Sequence, residues 1–426
     1  MSANAFWFRP SLLRRLIERR PLYLAAPSRC SRGERRGASL VRGLMTTNAK
    51  RDVLLAIASV VFVASCDRAA EEPVTAPAWS VGGRPLLEIR GDGTDGQPVI
   101  INGIHATRRA DGSVLVVDQG AHALKLFSPA GVLGRTTGRN GMGPGEFEFM
   151  RMALRCGDSL YIEGIVLRRV SVHALDGSMV RTMSTLEFGG GVEAFRTACN
   201  EIGDFVHHAW NRLDPSVKGR HRAPLPFWGI LKAEGLGVAY PAVLGPEYVR
   251  FDSGAARALL GRETHIAIGR RRVYVGTAEN QDVTVLTREG DPAGQCRLPG
   301  TFRAASPADL ERAKRFDSVG QDVTTQRETR RVWDFDSPPE TLPPYDAMLV
   351  DALDHLWVRQ YPSAGAERTA WFVFDAACTH VVTVELPTEL HVSEVGTNYV
   401  LGVQRDIESG EHAVLMLELF RAPASR

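Results

Sequence analysis

The chain has no Cys-x-x-Cys pair and no cysteine–histidine grouping at zinc-ligand spacing, although it holds six cysteines, at positions 30, 66, 156, 199, 296 and 378. That spacing argues against a structural metal site. It also has no Gly-x-Ser-x-Gly, no His-Glu-x-x-His and no cysteine–histidine arrangement that would activate a nucleophile. Neither a serine-hydrolase elbow nor a helix-borne zinc protease is written in it. Gly141, Gly143 and Gly145 make Gly-x-Gly-x-Gly, but the residues from Phe147 to Leu154 read as a strand. No helix follows to hold a phosphate, and no Lys-Ser/Thr follows as a P-loop requires. The glycines read instead as a turn between two sheets, with Phe147 packed between them.

Positive charge is scarce where a nucleic-acid surface would need it. Residues 1–51 hold 12 Lys+Arg against 2 Asp+Glu, and the rest of the chain holds 39 against 47. The larger part is mildly acidic, so no nucleic-acid partner is expected.

Two basic residues, Lys50 and Arg51, precede an apolar and small run from Val53 to Ser65. As a helix it would measure about 20 Å, short of the ~30 Å hydrocarbon core of a bilayer and suited to a secretory signal. The run ends in Val63-Ala64-Ser65-Cys66, which resembles the lipobox of bacterial lipoproteins. That resemblance implies acylation of Cys66 and a lipid anchor in the cell envelope. Residues 1–44 are Arg-rich and read as an upstream extension from a misassigned start, or as disordered. Residues 45–66 read as the signal peptide, 67–78 as a polar tether of ~36 Å at full extension, and 422–426 as a tail.

Between these lies a repeat. Shifting the stretch from Asp111 by 46 residues places Val114 on Leu160, Val116 on Ile162, Leu126 on Val172, Gly131 on Gly177 and Leu133 on Met179. Each copy reads as four short strands of period two separated by Asp- or Gly-bearing turns, the signature of a propeller blade. Six such units fill 79–421. The last lacks its final strand, and Arg84–Gly91 is free to supply it, closing the ring without an open edge. The expected fold is therefore all-β, a six-bladed β-propeller closed by an N-terminal strand, with a helical insertion at 306–320. Ser306 can cap that helix, Pro307 suits its first turn and Asp309 favours its positive end. The helix reads as a lid over the ring, a partner-binding face or a brace.

Asp111-Gly112, "VLVVD", "LKLFSPAG", "GRNGMGPGEF" and "DALDHLWVRQY" resemble NHL-type and related bacterial six-bladed propeller lipoproteins. Ala121 and Ala123 stand where NHL repeats often carry Asn and Arg. The resemblance implies a ligand face around the central channel, formed by loops between second and third strands. Those loops carry Asp118 and His122, Glu163, Arg168 and Arg169, Asn280, and Arg359. Asp118, Glu163 and Asn280 offer hard oxygen ligands, so Ca²⁺ is the one cofactor to consider. The third unit has a long loop, His207–Phe227, with Arg220 and Arg222 suited to an anionic ligand. His207 and His208 are adjacent and would point to opposite faces of a strand. Cys156 and Cys199 precede comparable hairpins and either pair or remain buried thiols. The expected function is an envelope-anchored, monomeric binding module presenting one face to a ligand or envelope protein. The alternative is a metal-dependent hydrolase or lyase of the propeller-lactonase or amidating-lyase kind.

Overall fold

The computed structural model describes residues 79–91, 99–164, 166–185, 194–209, 214, 216–231, 236–251, 254–318, 330, 333, 337–406 and 409–421. The expectations for the extension, signal peptide, lipobox, Cys66, tether and C-terminal tail fall outside these residues.

Six four-stranded antiparallel sheets and one three-stranded sheet account for the strands among the described residues. Sheet 1 holds β2 (Gly103–Arg108), β3 (Val114–Asp118), β4 (Ala123–Phe127) and β5 (Leu133–Thr137). Sheet 2 holds β6 (Met150–Cys156), β7 (Ser159–Gly164), β8 (Arg169–Ala174) and β9 (Met179–Ser184). Sheet 3 takes β10 (Ala194–Cys199), β11 (Phe205–Ala209), β13 (Phe227–Leu231) and β14 (Leu236–Ala239). Sheet 4 takes β17 (His265–Ile268), β18 (Arg272–Gly276), β19 (Asp282–Thr287) and β20 (Pro292–Arg297). Sheet 5 takes β21 (Tyr345–Val350), β22 (Leu356–Gln360), β23 (Arg368–Phe374) and β24 (His380–Pro387). Sheet 6 takes β25 (Leu390–Val395), β26 (Tyr399–Arg405), β27 (His412–Phe420) and, as its outer strand, β1 (Ser80–Ile89).

The closure expected from sequence is present. β1 pairs antiparallel with β27, with Leu87 opposite Met416 and Ile89 opposite Val414. The 46-residue offset also holds, since β3, β4 and β5 fall on β7, β8 and β9. Gly131 and Gly177 take equivalent left-handed turns at φ 79° and 84°, which a side chain would resist.

The core lies between successive sheets. Leu115, Val117 and Leu124 of sheet 1 pack against Met150, Leu160 and Ile162 of sheet 2, with Phe147 between them as expected. Val206 and Phe227 meet Val273 and Val275 between sheets 3 and 4, and Tyr274 and Val283 meet Tyr345 and Phe374 between sheets 4 and 5. Trp357 and Trp371 meet Leu390 and Leu415 between sheets 5 and 6, and Val414 and Leu401 meet Val114 and Val116 where sheet 6 returns to sheet 1. Burying each large apolar side chain contributes ~1.5–3 kcal/mol, and the interlocking repeats at these five junctions. The result is a β-propeller.

Two disulfides join neighbouring sheets. Cys156–Cys199 links the ends of β6 and β10, and Cys296–Cys378 links β20 to the turn before β24. The first resolves the alternative left by the sequence. The second joins residues 82 positions apart, too distant for local pattern to suggest.

Strand direction gives the ring two faces. Turns joining first to second and third to fourth strands lie on one side, here the lower face; the remaining connections lie on the upper face. Trp79, which leads into β1, and Arg421, which follows β27, both lie on the lower face, where the guanidinium stacks 4.3 Å from the indole ring.

The third unit departs from expectation. His207–Phe227 is not one long loop. Gly219–Leu225 is a strand, β12, pairing with β15 (Val243–Phe251), which pairs with β16 (Gly254–Arg257). An additional sheet is thus inserted beside sheet 3.

Candidate functional site at the upper mouth of the ring

Strand order places Asp118, His122, Glu163, Arg168, Arg169, Asn280 and Arg359 on the upper face, but most are occupied locally. Asp118 is fully buried. It accepts from Lys125 Nζ at 2.8 Å and from the amides of Ile101, Asn102 and Ala121. Burial alone would raise its pKa, but these donors outweigh burial and lower it. His122 holds a left-handed turn at φ 50° and Arg168 another at 46°. Glu163 faces Arg151 at 3.8 Å. Arg169 clamps the glycine-rich turn through the carbonyls of Met142 and Glu146. Asn280 Oδ1 accepts from the Asp282 amide. Asp118 and Asn280 are therefore engaged by the protein, and among the described residues no three of His, Cys, Asp and Glu are grouped as metal ligands.

The basic cluster of the third unit is likewise engaged, a correction to its reading as an open anion loop. Arg220 bonds Glu247 at 3.1 Å, and Arg222 bonds Glu279 at 2.7 Å and the Gly245 carbonyl. Both lie on strand β12, so their guanidinium groups brace the inserted sheet. His207 is buried in a stack, 5.7 Å from the Phe205 ring and 5.8 Å from Trp228. Burial, then the charge of His208, lowers its pKa to about 3, so it is neutral at pH 7.

Arg359 is different, because unpredicted residues gather around it. Its Nε and one terminal nitrogen grip both carboxylate oxygens of Asp346 at 2.6 and 2.7 Å. Above them lies helix α1 (Pro307–Ser318). Ser306 caps it, its Oγ accepting from the Asp309 amide, while the Asp309 carboxylate accepts from Ser306 and, at 2.7 Å, from the Ala364 amide. Arg312 of the helix bonds Glu389, between β24 and β25, at 3.0 Å. Arg303 bonds Ser363 and the Tyr361 carbonyl. These contacts fix α1 across sheets 5 and 6, which favours the brace over the free lid.

The Tyr361 hydroxyl sits in this group. Burial raises its pKa, Asp346 adds to the rise, and Arg312 and Arg359 oppose it. His391, on the inner strand β25, is solvent-exposed, yet its surroundings are dense. Desolvation is the main cause lowering its pKa, followed by the charge of Arg359. Asp346, Arg359, Tyr361, Arg312, Glu389 and His391 thus converge from β21, β22, α1 and β25 and the segments beside them. Sequence reasoning reached only Arg359. The usable signal was the position of the helix, inserted directly before the inner strand of sheet 5.

No known protein-family pattern matches the sequence, and no curated protein matches it. Among solved structures, a member of the DUF4221 family from Bacteroides vulgatus is similar at 10% identity and a TM-score of 0.47, covering 82% of this chain and 100% of that one. A putative exported protein from Bacteroides fragilis is similar at 11% identity and 0.44, covering 81% and 96%. The calcium-binding protein regucalcin from Agrobacterium tumefaciens is similar at 14% identity and 0.39, covering 82% and 100%. Similarities this slight carry no function to this chain, and the propeller stands on its own strand order.

Proposed function

We propose that this chain is an exported β-propeller, anchored at the cell envelope through Cys66, that binds a ligand at the upper mouth between sheets 5 and 6. The observation that carries the binding role is the convergence of Arg359, Tyr361, Arg312 and His391 beneath α1. Export is supported by the apolar run ending in Cys66 and by two inter-sheet disulfides, which persist in oxidising compartments. Screening polar metabolites and envelope fragments by thermal shift tests the binding role. Ligands that stabilise the wild type should lose their effect in Tyr361→Ala and His391→Ala, and effects that survive both changes would place the site elsewhere. Labelling with a fatty-acid probe, lost in Cys66→Ala, tests the anchor. The metal-dependent hydrolase or lyase reading predicts a different result: a rise in Tm with Ca²⁺ or Zn²⁺ that Asp118→Asn and Glu163→Gln abolish.

A further inference from the structure

Counting hydrogen-bonding capacity at the mouth reveals an imbalance. Both oxygens of Asp346 accept from Arg359, and both oxygens of Asp309 accept from Ser306 and Ala364. Glu389 accepts from Arg312. Five of these six carboxylate oxygens are thus occupied. The donors are not, because a guanidinium carries five N–H groups in a rigid fork. Arg359 directs only Nε and one terminal nitrogen to Asp346, leaving its other terminal nitrogen open. Arg312 directs one nitrogen to Glu389, leaving Nε and the second terminal nitrogen without a partner among the described residues. The Tyr361 hydroxyl adds a further donor. Formal charge nevertheless balances, with Arg303, Arg312 and Arg359 set against Asp309, Asp346 and Glu389. A cation would find one carboxylate oxygen, on Glu389, without a donor from the described residues, while an oxyanion would find two forked cations already held in place by carboxylates, so little ordering is needed on binding.

We infer that the mouth is an oxyanion site, in which Arg312 from α1 and Arg359 from β22 grip a carboxylate or phosphate group and Tyr361 donates to it. This rests on the mouth being the ligand site and narrows the ligand class. It also gives α1 a second role beyond bracing, since the helix delivers one of the two guanidinium groups.

The test uses the full chain at constant ionic strength, titrated calorimetrically with succinate, inorganic phosphate, the neutral diamide succinamide and a neutral disaccharide. Binding of succinate or phosphate, weakened about tenfold or more in Arg312→Gln and in Tyr361→Phe, is the expected result. Preference for succinate over phosphate would identify a carboxylate ligand, and the reverse a phosphate. Arg312→Lys should recover only part of the affinity, because a point charge does not reproduce the fork. Succinamide binding as well as succinate, or succinate binding unchanged in both variants, would overturn the oxyanion class. If the disaccharide alone binds and Tyr361→Phe or His391→Ala weakens it, the mouth survives as the site and the oxyanion class falls. If no probe binds, or none responds to any mouth variant, both fall. Arg359 is left intact because its removal would strand Asp346 and confuse binding with folding.

Discussion

The lower and upper faces of the ring use the same residue types to opposite effect. On the lower face, Asp351 is fully buried and accepts from the amides of Leu353 and His355, from Trp357 Nε1 at 2.9 Å and from Arg421 at 2.9 Å. Nearby, Glu394 accepts from Thr107, the Arg108 amide, Arg155 and Tyr399, tying sheets 6, 1 and 2 together. There the carboxylates are centres on which donors from several segments close. At the upper mouth the carboxylates hold Arg312 and Arg359, whose remaining N–H groups have no partner among the described residues. The lower-face carboxylates keep the ring shut, whereas the mouth between sheets 5 and 6 keeps hydrogen-bonding capacity in reserve.

Several substitutions would break or sharpen this contrast. Asp351→Ala should have the largest effect, a loss of about 3–5 kcal/mol in urea unfolding, because it strands the buried Trp357 indole N–H and takes the carboxylate partner from Arg421. An unchanged midpoint would remove the lower face's claim to hold the ring. Cys296→Ala with Cys378→Ala should cost about 2–4 kcal/mol, read as a Tm below that of the oxidised wild type and above that of the reduced wild type, which loses Cys156–Cys199 as well.

Acidification should weaken the fold next. His105 is buried, and burial followed by the charges of His391 and Arg155 lowers its pKa to about 3; His207 is held at about 3 as well. Unfolded histidines take protons near 6.5 while these do not, so stability falls as the pH drops from about 6.5 toward 3, by about 2 kcal/mol for each at pH 5. Below about 4, the depressed carboxyls of Asp118 and Asp351 extend the loss. A pH series of unfolding midpoints on wild type and His207→Phe should show a flatter slope in the variant. The smallest effect belongs to the upper face. Arg312→Gln should change stability by about 1 kcal/mol or less, since its partner Glu389 stays partly exposed. A loss as large as that of Asp351→Ala would make α1 purely structural.

The architecture was largely legible in the sequence because its signals are local. Period-two alternation and turn glycines recur every 46 residues in sheets 1 and 2, and the missing last strand of sheet 6 called for a partner that Arg84–Gly91 could provide. The inserted sheet was hidden because Arg220 and Arg222 read as a basic loop until Glu247 and Glu279 were seen opposite them. The candidate site was mostly illegible for a related reason. Asp346, Tyr361, Arg312 and His391 belong to four segments spread over about 80 residues, and only the ring brings them together. Arg359 was found because it ends a second strand, a position that topology alone assigns to the upper face.

Trp79 and Arg421 hold the two ends of the propeller side by side beneath the ring. A bead, dye or bilayer attached through either end therefore approaches from below and leaves the opposite opening clear. For biosensing or pull-down work, immobilisation at either end of the propeller, next to Trp79 or Arg421, should give the same unobstructed presentation.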